Sequence, residues 1–213
     1  MNNRLQSHVF WGKYSPLSTL TGAFLLIMAS SRLAFAILYA GAVIWVYVLT
    51  ALVFYAGKRF LPIEGKTVVL LFLSSLFCNV YLILMNLLNP LLTISTWFFM
   101  VLIPPSCLGS GIFELPEILD TREVLFRAWQ ESACFALLII AISLIREPLG
   151  MGTLSFPGGV WGIVEIFGSG EDRGWFLPVK LLSTPAGGFL LLGLGITIFR
   201  YFRNQQSMEE DDQ

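Results

Sequence analysis

An uncharged run of 47 residues, positions 67–113, constrains the fold more than any other feature. About 20 mostly apolar residues cross a bilayer, so this run is too long for one crossing. Asn89-Pro90 lies near its middle and predicts a hairpin, because proline cannot continue a helix. The composition agrees: 56% of the residues are hydrophobic and 13% are charged, too few for the polar shell of a soluble domain. The sequence therefore predicts an integral membrane protein.

The other apolar segments predict four further crossings. We expect an all-α membrane protein, a single domain over residues 1–213 with six transmembrane helices. The expected spans are 14–31, 33–57, 67–88, 91–107, 128–145 and 181–200, followed by an acidic cytoplasmic tail at 204–213. A formal net charge of −1 argues against a nucleic-acid partner and leaves lipid as the expected environment.

Spans one and four both open with Pro-Leu, carry Ser and Thr, and have short apolar cores. They begin corresponding three-span halves, and an odd number of spans per half makes the halves inverted. Interrupted helices at matching positions of two such halves indicate a site near the membrane midplane. The clearest interruption is "IPPSCLGSGIF" at 103–113. In the alternative interpretation, Pro104-Pro105 simply ends the fourth helix at the interface.

Lysine and arginine distribution predicts the orientation. With both termini in the cytoplasm, nine basic residues fall inside and four outside, as the positive-inside rule requires. The inside set is Arg4, Lys13, Lys58, Arg59, Lys66, Arg122, Arg127, Arg200 and Arg203, and the outside set is Arg32, Arg146, Arg173 and Lys180. We expect the external loop at 146–180 to lie along the membrane surface through Trp161, Phe167, Trp175 and Phe176.

The three cysteines, Cys78, Cys107 and Cys134, form no CxxC pair, so neither a disulfide framework nor a zinc site is indicated. Cys78 and Cys134 are interpreted as packing residues, since a buried thiol behaves as a small hydrophobe. The same interpretation is open for Cys107.

Charged residues near the fifth span have structural interpretations. Arg146-Glu147, followed by proline and glycine, predicts a helix stop. Glu131 lies one turn after Arg127, and an i,i+4 ion pair accounts for it, although an ionisable residue in a span is also a functional hypothesis. Glycines of the last span predict close helix packing: Gly187, Gly188, Gly193 and Gly195.

Three motifs in order carry a resemblance to a known family. They are "SLIREPLGMGTL" at 143–154, "VEIF" at 164–167 and "STPAGGFLLLGLGI" at 183–196. They resemble the small six-span membrane subunits of the Rnf and Nqr electron-transport complexes, and most closely the E-type subunit of Rnf, equivalent to the D-type of Nqr. The similarity is clear from about 143 to 202 and weaker, though collinear, before that.

The resemblance implies a site and a partner. Two homologous six-span subunits of opposite topology would share a [2Fe-2S] cluster, each giving two cysteines from its interrupted first and fourth helices. Cys107 matches the fourth-helix cysteine, but Phe24 stands at the first-helix position and a phenyl ring cannot bind iron. The resemblance also implies an A-type partner in Rnf (E-type in Nqr), together with flavin and iron–sulfur subunits.

Two functions remain open at this point. In the first, the chain is a subunit of an ion-translocating electron-transport complex in the bacterial inner membrane, relaying electrons and inactive alone. In the second, it is a divergent paralogue that has lost the cluster and acts as a structural or assembly subunit, or as a small transporter component. Phe24 favours the second, and Cys107 with the C-terminal motifs favours the first.

Overall fold

A computed structural model describes residues 20–57, 65–108, 121–158, 162–167, 180–195 and 197. These residues form eight helices and one two-stranded sheet. In chain order they are α1 (Leu20–Ala29), α2 (Leu33–Ala56), α3 (Lys66–Leu88), α4 (Pro90–Met100), α5 (Ile103–Leu108), α6 (Thr121–Met151), β1 (Leu154–Pro157), β2 (Ile163–Phe167), α7 (Lys180–Ser183) and α8 (Pro185–Gly195).

Helix α2 lies at the centre of the bundle. It contacts α1, α3, α4, α5, α6 and β1, and its longest contact is with α6. More than half of its 24 residues are buried, and they occupy all sides of the helix. A helix that is apolar all round is buried against other helices, so α2 forms the core on which the others pack.

The two ends of the bundle can be told apart by hydrogen bonds between distant residues. The Leu33 amide at the start of α2 donates to Oε2 of Glu147 near the end of α6, at 2.6 Å. Asn89, between α3 and α4, donates from Nδ2 to the carbonyl oxygen of Gly162 beside β2, at 3.3 Å. The start of α2, the α3–α4 hairpin, the end of α6 and the sheet therefore meet at one end, called here the hairpin end.

Three helices are long and apolar enough to cross a membrane: α2, α3 and residues Arg122–Met151 of α6. They correspond to the second, third and fifth predicted spans. The outward side chains of α3 are apolar and strongly exposed, including Phe72 at 70% and Leu87 at 78%. Surfaces of this kind suit lipid or another membrane helix, so the described helices belong to a multi-pass membrane protein.

The hairpin at Asn89-Pro90 is confirmed. Helix α3 ends at Leu88 and α4 begins at Pro90, whose missing amide hydrogen is not needed in a first turn. The Asn89 side chain caps α4 by accepting from the Leu92 amide at 3.2 Å.

Other sequence expectations need correction. The all-α class is wrong in one detail, because β1 and β2 form an antiparallel pair within the expected external loop. The fifth span is longer than 128–145, since α6 begins at Thr121 and ends at Met151. The last span is interrupted at Thr184, between α7 and α8. The tail at 204–213, Trp161, Trp175, Phe176 and the side chain of Phe167 lie outside the described residues. Six spans, inverted halves and the orientation of the termini stay predictions.

Candidate functional site

The fourth predicted span is broken in the structure, but at a different place from the expected one. Helix α4 ends at Met100, Val101 and Leu102 form a turn, and α5 begins at Ile103. Pro104 and Pro105 lie in the first turn of α5, where proline is tolerated. The prolines therefore begin a short helix, and the alternative in which they end the fourth helix is wrong. Cys107 lies inside that short helix and not in unwound chain.

Cys107 is buried in the bundle, with 1% of its surface exposed. The preceding residue, Ser106, accepts a hydrogen bond on its carbonyl oxygen from the Tyr47 hydroxyl at 2.9 Å. Glu131 of α6 interacts electrostatically with both Cys107 and Tyr47. The thiol thus faces a small polar region between α2, α5 and α6.

Two tyrosines of α2 hold the two pieces of the broken helix. Tyr39 donates to the carbonyl oxygen of Thr96 in α4 at 3.0 Å, and Tyr47 binds Ser106 in α5. The two tyrosines are eight residues apart, which places them on one face of α2. Sequence reasoning missed this pair, although two tyrosines at helical spacing in an otherwise apolar span are a visible pattern. Because both phenols are buried, each bond fixes a carbonyl that lipid could not satisfy.

The other two cysteines differ in their surroundings. Cys78 is buried in α3 and its thiol donates to the carbonyl oxygen of Met100, the last residue of α4, at 3.4 Å. It therefore packs against the break as well as filling space. Cys134 is only half-buried on α6. Neither residue forms a disulfide within the described chain.

The first-helix position of the predicted cluster lies in α1. Phe24 belongs to this helix, and α1 contacts α5, the helix that carries Cys107. The structure thus brings together the two elements that the sequence paired. The Phe24 side chain lies outside the described residues.

The described side chains do not fit a complete iron–sulfur cluster. A [2Fe-2S] cluster takes four cysteine thiolates, or two thiolates and two imidazoles. Among the residues that the structure describes, no three His, Cys, Asp or Glu side chains are grouped so that they could hold a metal ion. Around Cys107 the neighbouring polar groups are the Tyr47 phenol and the Glu131 carboxylate, which are oxygen donors.

Arg146 has a role that the sequence did not indicate, and its interpretation as a helix stop is wrong. Helix α6 continues past it to Met151 with Pro148 inside. The residue is 2% exposed, and its guanidinium makes five hydrogen bonds. Nη1 donates to the carbonyl oxygen of Ile27 at 2.6 Å and to Oγ of Ser30 at 3.1 Å.

The remaining bonds of Arg146 go to the interruption of the last span. Nε donates to the carbonyl oxygen of Leu182 at 2.8 Å, and Nη2 donates to those of Ser183 and Thr184 at 3.2 and 2.9 Å. These acceptors lie at the C-terminal ends of α1 and α7, where carbonyls lack partners in their own helix. A fixed positive fork thus joins α6, α1 and the α7–α8 break.

Glu147, the next residue, is fully buried and completes the arrangement with the opposite charge. Its Oε2 accepts from the Leu33 amide at the N-terminus of α2, where a negative charge is favoured. Its Oε1 lies 3.5 Å from the Thr153 hydroxyl. The two charges therefore occupy opposite kinds of helix end, which lowers the cost of burying them.

Glycines allow the close approach that Arg146 requires. A methyl group added at Gly150 would lie 2.9 Å from the Ser183 amide nitrogen, and one at Gly188 would lie 2.8 Å from Cγ2 of Ile27. Gly187 is crowded by the backbone of α7 in the same way. The predicted close packing is confirmed at Gly187 and Gly188. Gly193 and Gly195 meet no described atom within 4 Å, so they take no part in it.

The ion pair predicted between Arg127 and Glu131 is not the one that forms. Nη2 of Arg127 lies 3.8 Å from Oε1 of Glu123, one turn earlier in α6. Oε2 of Glu131 is buried and has no hydrogen-bond partner among the described residues. The structural explanation of Glu131 therefore fails.

The fold and this site together define a class: a multi-pass helical membrane protein with an interrupted helix, a buried thiol and a buried charged pair at its hairpin end. Comparison with known proteins identifies the family. The family described as "Rnf-Nqr subunit, membrane protein" matches residues 6–196, so the chain belongs to the Rnf-Nqr family of membrane subunits.

Similarity to individual relatives is local. Over 72 residues the chain is 28% identical to the D-type subunit of the Na(+)-translocating NADH-quinone reductase of Tolumonas auensis, and 33% identical to the same subunit from Shewanella halifaxensis. The matched segment is 34% of this chain in both cases. It spans about a third of the length of these relatives, 30% and 31% respectively.

Proposed function

We propose that this protein is a membrane subunit of an ion-translocating electron-transport complex of the Rnf or Nqr type, located in the bacterial inner membrane with both termini in the cytoplasm. The observation that carries the proposal is the broken α4–α5 helix, which brings Cys107 into the interior of a membrane bundle, in a chain of this family. Non-helical backbone at membrane depth is tolerated where it is buried in protein or lines a cavity. The relatives named above are subunits of an Na⁺-translocating reductase, which supports the same role.

The proposed cofactor is a [2Fe-2S] cluster shared with a second six-span subunit, which would carry electrons between the two membrane faces. Cys107 is the residue of this chain that would hold it. Since this chain supplies one thiolate where two are expected, we propose that the cluster is weakly held or missing. Under the second function, the protein is then a structural or assembly subunit that keeps the fold, and Phe24 is the observation that favours this role.

The test is affinity purification of the tagged full chain from its native membranes. We expect a second six-span subunit and flavin or iron–sulfur subunits to be recovered with it, and deletion of the gene to reduce Na⁺-dependent or H⁺-dependent NADH or ferredoxin oxidation by membranes. Recovery of the chain alone, with membrane activity unchanged after deletion, would exclude both functions. Recovery of the complex with full activity but without iron at this subunit pair would support the second.

A further inference from the structure

Two buried oxygen atoms on α2 and α6 lack hydrogen-bond partners among the described residues. They are Oγ1 of Thr50, a fully buried residue of α2, and Oε2 of Glu131. Other buried threonines satisfy themselves locally: the hydroxyls of Thr93 and Thr96 donate to carbonyl oxygens four residues earlier in α4, both at 2.9 Å. Buried polar atoms are nearly always paired, so unpaired ones indicate a missing partner.

Both atoms lie at the same level of the bundle. The bond between Leu33 and Glu147 fixes the register of α2 against α6 at the hairpin end. Thr50 is 17 residues along α2 from that point, and Glu131 is 16 residues back along α6. At 1.5 Å per residue these are about 26 and 24 Å from the hairpin end. Tyr47, one turn before Thr50, interacts electrostatically with Glu131, which indicates that the carboxylate faces α2 at this level.

The charge of Glu131 is not balanced by contact. The charged and titratable groups around it are Arg127 on its own helix, Cys107 of α5 and Tyr47 of α2. Arg127 is within ion-pair distance of Glu123 instead. Tyr47 donates its proton to the Ser106 carbonyl, so its phenolic oxygen offers only lone pairs to the space beside Thr50 and Glu131.

We propose that Glu131, Thr50 and Tyr47 form a binding site for a monovalent metal cation of the size of Na⁺. Carboxylate, hydroxyl and phenol oxygens are ligands that hard cations prefer. A single carboxylate balances one positive charge, whereas a divalent ion would leave net charge inside the membrane. A proton on Glu131 would neutralise the carboxylate but leave Oγ1 of Thr50 without a partner. The site rests on the proposed function, because its cation is the ion that the complex would translocate.

The test measures stabilisation of the full chain, in the subunit assembly with which it purifies and in lipid nanodiscs. NaCl replaces choline chloride at constant ionic strength, and the Tm is followed as a function of Na⁺ concentration. We expect a saturable rise in Tm, because a ligand that binds only the folded state stabilises it. Glu131→Gln should abolish the rise, and Thr50→Val, which keeps the shape, should weaken the apparent affinity about tenfold.

Ser143→Ala is the matched control. Ser143 is also buried on α6 with a hydroxyl that has no hydrogen-bond partner among the described residues, but it lies 12 residues from Glu131, and its substitution should leave the Na⁺ response unchanged. A wild-type protein that Na⁺ does not stabilise overturns the proposal, whatever the variants do. So does a response that survives in Thr50→Val and Glu131→Gln alike, or one that acidification in choline reproduces in full. A Na⁺ response in a chain that purifies without redox subunits would leave the site standing and exclude the proposed function.

Discussion

The hydroxyl of Tyr47 lies 2.9 Å from the carbonyl oxygen of Ser106, the residue before Cys107. This bond joins the central helix to the short helix that carries the thiol. Because it is the phenol that donates, the position of Cys107 depends on a residue 60 positions earlier in the chain. Tyr39 makes the equivalent bond to α4, on the other side of the break.

Tyr47→Phe removes the bond to Ser106 and leaves a buried carbonyl unsatisfied. We expect a loss of about 1–2 kcal/mol in the free energy of unfolding and faster opening of α5. The measurement is the rate at which a membrane-permeant maleimide labels Cys107 in a variant in which Cys78 and Cys134 are alanine. Tyr39→Phe is the control, since it loosens α4 and should leave that rate nearly unchanged. Equal acceleration by both substitutions would contradict the assignment.

Arg146→Lys should be severely destabilising even though it keeps the charge. Five hydrogen bonds from a planar fork cannot be replaced by one ammonium group, and unsatisfied carbonyls of α1 and α7 would remain in the membrane. We expect a loss of about 3–5 kcal/mol, by analogy with a broken buried ion pair. Fluorescence-detected size exclusion after heating in detergent measures the folded fraction.

Arg32→Lys provides the comparison for Arg146. Arg32 is a third exposed and lies 3.7 Å from Glu165, so its ion pair is screened and its substitution should change stability by less than about 1 kcal/mol. A folded fraction of Arg146→Lys equal to that of Arg32→Lys would show that the buried network does not hold the helices together.

Gly188→Ala and Gly193→Ala form a matched pair in α8. The added methyl group at Gly188 would lie 2.8 Å from Cγ2 of Ile27 and 3.2 Å from Nη1 of Arg146, so we expect a loss of about 1–3 kcal/mol. At Gly193 no described atom lies within 4 Å, and alanine should be neutral or slightly stabilising. Thermal unfolding of both variants checks the difference. The reverse order would mean that Gly193, and not Gly188, lies in a close contact.

Phe24→Cys should increase iron retention in the purified subunit pair, and Cys107→Ser should abolish any that exists. The first restores a thiolate on α1, which contacts α5, and the second removes the one thiolate that this chain offers there. Iron content and the reduced-state EPR signal are the measurements. A full complement of [2Fe-2S] that survives Cys107→Ser would show that this cysteine is not a ligand.

Local features of the fold could be read from the sequence, and distant ones could not. The hairpin was predictable because Asn89 and Pro90 act on their own helix ends, through a cap and a missing amide hydrogen. The role of Arg146 was not, because four of its five acceptors are backbone carbonyls, which leave no trace in residue type. Glu131 was assigned to the nearest arginine by spacing alone, but the same spacing also allowed Arg127 to turn to Glu123.

The network around Arg146 has a consequence for the order of biosynthesis. Ile27 and Ser30 precede Arg146 by more than 100 residues and are already in the membrane when α6 emerges, whereas Leu182, Ser183 and Thr184 are made at least 36 residues later. During that interval the guanidinium has two of its five acceptors. Insertion of α6 is therefore incomplete until the last span arrives, and a chain truncated before residue 182 should be a substrate for membrane quality-control proteases.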